Sequence, residues 1–109
     1  MNEARERGQA LLDELAPEFE QLPGVSRGSM FHSLGLKRDG RFFAFIDGDG
    51  GVGMRLPEAR VTELDEAGIA ERMTIGTRSM REWASCPMSG VEHWRQLLQE
   101  SYEFSPTPS

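Results

Sequence analysis

Five consecutive apolar residues, Phe42-Phe43-Ala44-Phe45-Ile46, constrain the fold more than any other feature. Successive side chains of a strand point to opposite faces, so Phe43 and Phe45 are expected to point one way and Phe42, Ala44 and Ile46 the other. Such a run is apolar on both faces and predicts a central strand covered on both sides. Turn signals bracket it. Arg38-Asp39-Gly40 precedes it, with a glycine able to supply the positive φ of a tight hairpin, and Asp47–Gly51 follows. Beyond that second turn Val52, Met54 and Leu56 alternate with Gly53 and Arg55, a strand burying one face and presenting Arg55 on the other. Upstream, Val25–Leu36 reads as one extended strand in which Gly28 and Gly35 mark bulges or close backbone approaches.

Helical periodicity flanks this meander. Ala4, Gly8, Leu11, Leu12 and Leu15 form an apolar stripe, and Pro17 predicts a helix end near Leu15 or Ala16. Phe19 and Leu22 then fall in a turn that leads to the breaker pair Pro23-Gly24. Pro57 opens a second helix with Val61, Leu64 and Ala67 inside and Gly68 at its C′ position. Arg72–Ile75 and Met80–Ser85 read as two strands joined by Gly76-Thr77-Arg78-Ser79. Ser89-Gly90-Val91-Glu92 spells a capping box for a last helix carrying Val91, Trp94, Leu98 and Tyr102 on one face. The expected fold is a two-layer α+β domain over residues 1–104, of order α-β-β-β-α-β-β-α. Its five-stranded antiparallel sheet packs against helices, and the proline-rich residues 105–109 form a disordered tail.

Charge narrows the function. The net charge is −6, and residues 1–22 hold six acids against two arginines. That balance opposes specific nucleic-acid binding and attachment to anionic membranes, and no run approaches the ~18 apolar residues of a membrane span. One cysteine, Cys86, excludes an intramolecular disulfide, and without a leader-like N-terminal segment the expected location is cytoplasmic.

Chemical motifs fail on inspection. Gly48-Asp-Gly50-Gly-Val-Gly53 has the spelling of a dinucleotide loop but lies between two strands, with no helix N-terminus to face a phosphate. Asp47, Asp49 and Glu58 match calcium-loop positions, but Val52 stands where such a loop needs glycine. His32 and His93 have no metal-ligand spacing, and no serine sits in a Gly-x-Ser-x-Gly elbow. The chain is therefore read as non-enzymatic, without catalytic, cofactor-binding or metal residues. A cluster of arginines in the strand-forming half stands apart. Arg55 and Arg81 on adjacent strands share a face with Trp83, and with Arg78 these residues form the candidate interaction surface, for a protein partner or a second copy in a homodimer.

From Arg27 to Trp94 the chain resembles the N-terminal domain of the bacterial TfoX/Sxy family. The resemblance is carried by Met30-Phe31, Leu34-Gly35, Gly40, Asp49-Gly50, Arg55, Gly68, the run Gly76-Thr-Arg78-Ser-Met80, and Trp94. His32 and Ser33 stand where the family has two glycines. The resemblance implies a three-helix, five-stranded antiparallel α+β fold and a regulatory role, the family being linked to control of DNA-uptake competence through proteins with a further helical domain. A small-ligand binder or enzyme, or a relative of the MmcQ/YjbR-like proteins, is the alternative.

Overall fold

The Phe42–Ile46 run lies near the middle of a sheet of six antiparallel strands: β1 (Val25–Met30), β2 (Ser33–Arg38), β3 (Arg41–Ile46), β4 (Val52–Arg55), β5 (Glu71–Ile75) and β6 (Arg78–Cys86). They lie side by side in the order β1-β2-β3-β4-β6-β5. Three helices accompany them, α1 (Glu3–Glu20), α2 (Glu58–Glu66) and α3 (Trp94–Phe104), the last preceded by a 3-10 turn over Met88–His93. This is a computed structural model, and it describes residues 2–30 and 33–106.

The expected α+β class holds, but the sheet has six strands, not five. The single strand expected over Val25–Leu36 is a hairpin, with β1 and β2 paired from Val25↔Arg38 to Met30↔Ser33. Residues 31 and 32, with the His32 reading, lie outside the described residues. Gly28 and Gly35 face each other in this hairpin, and the Phe42 ring lies against both, where a Cβ on either would press on it. The glycines thus mark close approach, which does not interrupt pairing and gave no hint of the reversal.

The other tight turns follow the local chemistry. Asp39 and Gly40 both adopt positive φ between the paired Arg38 and Arg41. The β5–β6 turn is tighter than the four residues expected, because Ile75 pairs directly with Arg78. In the β3–β4 hairpin the Asp47 carboxylate accepts from the amides of Asp49 (2.9 Å) and Gly51 (3.1 Å). Gly8 of α1 packs on this hairpin, where a Cβ would collide with the Gly50 carbonyl.

Two helix boundaries differ from expectation. α1 continues through Pro17 to Glu20, because Phe19, 3% exposed, falls on the same stripe as Leu12 and Ala16. Burying that ring contributes about 2–3 kcal/mol, comparable with the ~3 kcal/mol a mid-helix proline costs. At α3, Ser89 does not cap the helix: residues 88–93 wind as a 3-10 turn and Val91 is exposed. Trp94 instead ties the entry by donating its indole N–H to Pro87 O (3.2 Å).

All three helices pack on one face of the sheet. Leu12, Ala16 and Phe19 of α1, Val61 and Leu64 of α2, and Trp94, Leu97 and Leu98 of α3 form one core with Leu36, Ala44, Ile46, Met54 and Ala84. A β-bulge opposite Leu36 and Lys37 changes the facing of β3: Leu36 pairs with Ala44 and Lys37 with Phe42, so Phe43 is the extra residue. Phe43 therefore joins Ala44 on the helix side, where its ring meets Tyr102 edge-on at 6.0 Å. Phe42 and Phe45 occupy the opposite face, Phe45 against Trp83 (5.6 Å) and Phe42 under the Lys37 ammonium. The double coverage expected of this strand is thus a helical layer on one side and the sheet's own side chains on the other.

Candidate interaction groove

Pro57 creates the groove. It turns the chain out of the sheet after Leu56, so β4 pairs with β6 from Val52↔Cys86 to Arg55↔Trp83 and ends with the Leu56 N–H donating to Glu82 O (2.9 Å). β6 starts five residues before Trp83, at Arg78, and β3 starts three residues before its first β4 pair, Ala44↔Met54. One strand row between β3 and β6 is therefore vacated at this end, a gap of roughly 10 Å, or two strand spacings.

On the helix side α3 closes the gap. Ser101 Oγ lies 2.9 Å from Phe43 O and 2.6 Å from Arg55 O, so one hydroxyl proton serves the two carbonyls left where β3 and β4 part. Arg55 completes the floor. Its guanidinium donates to Glu82 Oε1 (Nη2, 3.0 Å) and to Ser105 O (3.3 Å), and lies 4.6 Å from the Phe104 ring centroid.

On the other side the gap is open, a groove of about 1100 Å³. Phe42 and Arg41 of β3 line one wall; Arg78, Met80, Arg81 and Trp83 of β6 line the other, with Ile75 at the hairpin tip. Four guanidiniums and two carboxylates, Glu58 and Glu82, border it. Arg55 is engaged with Glu82, whereas Arg41, Arg78 and Arg81 are exposed and their side chains have no ion-pair or hydrogen-bond partner among the described residues.

The four residues singled out from sequence thus meet around one groove but in two roles. Arg78, Arg81 and Trp83 face the opening; Arg55, assigned to an exposed face by alternation, is nearly buried and pins the end of α3. Sequence reasoning missed Arg41. Its place on the wall depends on β4 ending early, and the proline two residues after Arg55 was the available signal. Arg72, also in the sequence cluster, is spent locally on Thr62 (2.6 Å) and on Arg81 O. Arg27 pairs with Asp13 and Glu20.

A second, smaller cavity of about 320 Å³ lies between the β3–β4 hairpin and the α2–β5 connection, bordered by Asp47, Asp49, Asp65 and Glu71. Asp47 is occupied there by the hairpin amides and by the Ser85 hydroxyl. Cys86 is fully buried and donates weakly to Gly90 O; burial pushes its thiol up to about 11, the reverse of what a nucleophile requires. His93 is exposed beside Glu92, 3.6 Å away. Among the described residues no helix is long and apolar enough to cross a membrane.

No protein-family model, no curated protein and no solved structure matches this chain.

Proposed function

We propose that this chain is a non-enzymatic regulatory module that works through protein contacts, with the open groove as its working surface. One observation carries the proposal: Arg41, Arg78 and Arg81, whose side chains have no partner among the described residues, border one open groove together with Phe42 and Trp83. Arginine and aromatic side chains together are what protein interfaces are enriched in. The resemblance to the TfoX N-terminal domain points toward the same kind of role. The non-enzymatic part rests on the want of an assembled nucleophile, base or metal set in the sequence motifs.

The test is affinity capture from native lysate with wild-type protein and with Arg81→Glu, whose side chain bears on no other group in the fold. A partner recovered by the first and lost by the second, with circular dichroism unchanged, supports the proposal. Equal recovery by both overturns the groove as the contact surface. Self-association is a second reading, favoured by the apolar area of Phe42, Met80 and Trp83. A scattering mass of twice the 12.2 kDa chain, reduced to one chain by Trp83→Glu, identifies it.

A further inference from the structure

We infer that the groove takes an acidic, extended segment of a partner protein, laid in line with β4 as an added strand. The inference rests on the reading of the groove as a protein-contact surface and adds the partner's chemistry.

Shape is the first argument. The vacated row lies between β3 and β6, and neither Arg41–Phe43 nor Arg78–Arg81 is opposed by a β4 residue. With the flanking backbones about 10 Å apart, the vacated row has room for one extended chain at the ~4.8 Å strand spacing, whereas a helix of ~10–12 Å diameter would have to push the β3 and β6 backbones apart. Its inner side is sealed by Ser101 and Arg55, so the segment enters from the open face.

Charge is the second. Four guanidiniums against two carboxylates leave the groove lining net positive, and Arg41, Arg78 and Arg81 have no ion pair among the described residues, in a molecule whose net charge is −6. An acid on the incoming segment relieves their mutual repulsion and gains bidentate hydrogen bonds. Phe42, Met80 and Trp83 lie among the arginines, so a segment alternating acidic and apolar residues meets both sets.

A single-stranded nucleic acid offers extension, charge and bases for stacking, but it fits less well. Its charge repeats at every nucleotide and runs past the groove, where Glu58 and Glu82 border the walls of a molecule whose net charge is −6.

The experiment uses the full chain, labelled for the indole N–H of Trp83 and the Nε–H groups of the arginines, and a blocked peptide of about eight residues alternating glutamate and valine, roughly 26 Å when extended. A lysine–valine peptide and an oligothymidylate of equal length are titrated in parallel. Saturable shifts at Arg78, Arg81 and Trp83 are expected with the glutamate peptide and not with the lysine peptide. The Arg78→Glu/Arg81→Glu double variant should lose about tenfold or more in affinity for the glutamate peptide and gain affinity for the lysine peptide. Arg41→Glu supplies an independent loss from the opposite wall. No saturable shift at these signals up to about 1 mM peptide, or equal binding by the double variant, overturns the inference. Tighter binding of the oligothymidylate overturns it in favour of nucleic acid. If the glutamate peptide fails while Arg81→Glu still abolishes capture of a lysate partner, the partner is not acidic and the groove reading survives. If both fail, both fall.

Discussion

Arg55 shows how far a single side chain can depart from its place in an alternating pattern. It stands at the last pair of β4, opposite Trp83, and is 7% exposed because its guanidinium turns to Glu82, Ser105 O and the Phe104 ring. Arg55→Ala should cost about 2–3 kcal/mol, the sum of lost stem packing and a half-buried Glu82 left without its partner. Arg55→Lys should recover only part of that, since an ammonium cannot reproduce the planar fork and the stack. Urea denaturation measures both, and an alanine variant within ~0.5 kcal/mol of wild type would refute the latch. Cys86 gives a pH prediction. Its folded thiol titrates near 11 and its unfolded one near 9.0, so above the lower value the unfolded chain releases a proton that the fold retains. The contribution is fully present below pH 9 and is lost as pH climbs toward 11, by about 2–3 kcal/mol. Cys86→Ala should be less stable than wild type at pH 8, with the gap narrowing by pH 10.5; an unchanged gap would show that Cys86 does not contribute.

Two substitutions in α1 should move stability in opposite directions, though helix propensity favours alanine in both. Pro17 is exposed and leaves the Asp13 carbonyl without its i+4 amide; Pro17→Ala restores that bond and should stabilise by about 1–2 kcal/mol. Gly8→Ala gains ~1 kcal/mol in propensity but drives a methyl into the Gly50 carbonyl, so the helix must lift off the hairpin at a net cost of about 1–3 kcal/mol. Thermal unfolding of the two variants separates the effects, and a stabilised Gly8→Ala would show that α1 is not seated on the hairpin. The last element repeats the lesson. Ser105, placed at the head of a disordered tail by its proline-rich context, is buried and accepts from Arg55, while residues 107–109 lie outside the described residues.

Across the whole molecule charge is segregated. Acids crowd α1, where Glu18 reaches Arg95 of α3, whereas unpartnered guanidiniums gather at the groove. Because those arginines support nothing inside the fold, Arg78→Glu/Arg81→Glu should unfold within ~0.5 kcal/mol of wild type, measured by urea midpoint. A loss of more than ~1 kcal/mol would mean the groove arginines are structural.

Much of the fold was legible in local chemistry. The five-residue apolar run demanded a central strand, Asp39-Gly40 and the glycines after Asp47 demanded hairpins, Gly68 at positive φ closed α2, and apolar stripes at helical spacing located three helices. Each is decided within a few residues by backbone sterics and side-chain period. Three features were decided only when the chain closed on itself. The β1–β2 reversal has no turn signal and is held by pairing across the sheet. The bulge that sends Phe43 to the helices and Phe42 outward depends on register with β2. The groove exists because three strands of unequal length lie side by side, and its division into a buried Arg55 and free Arg41, Arg78 and Arg81 depends on where α3 ends. Period and turn chemistry act along the chain, but register, strand-length mismatch and the partners of a charged side chain are set between segments distant in sequence.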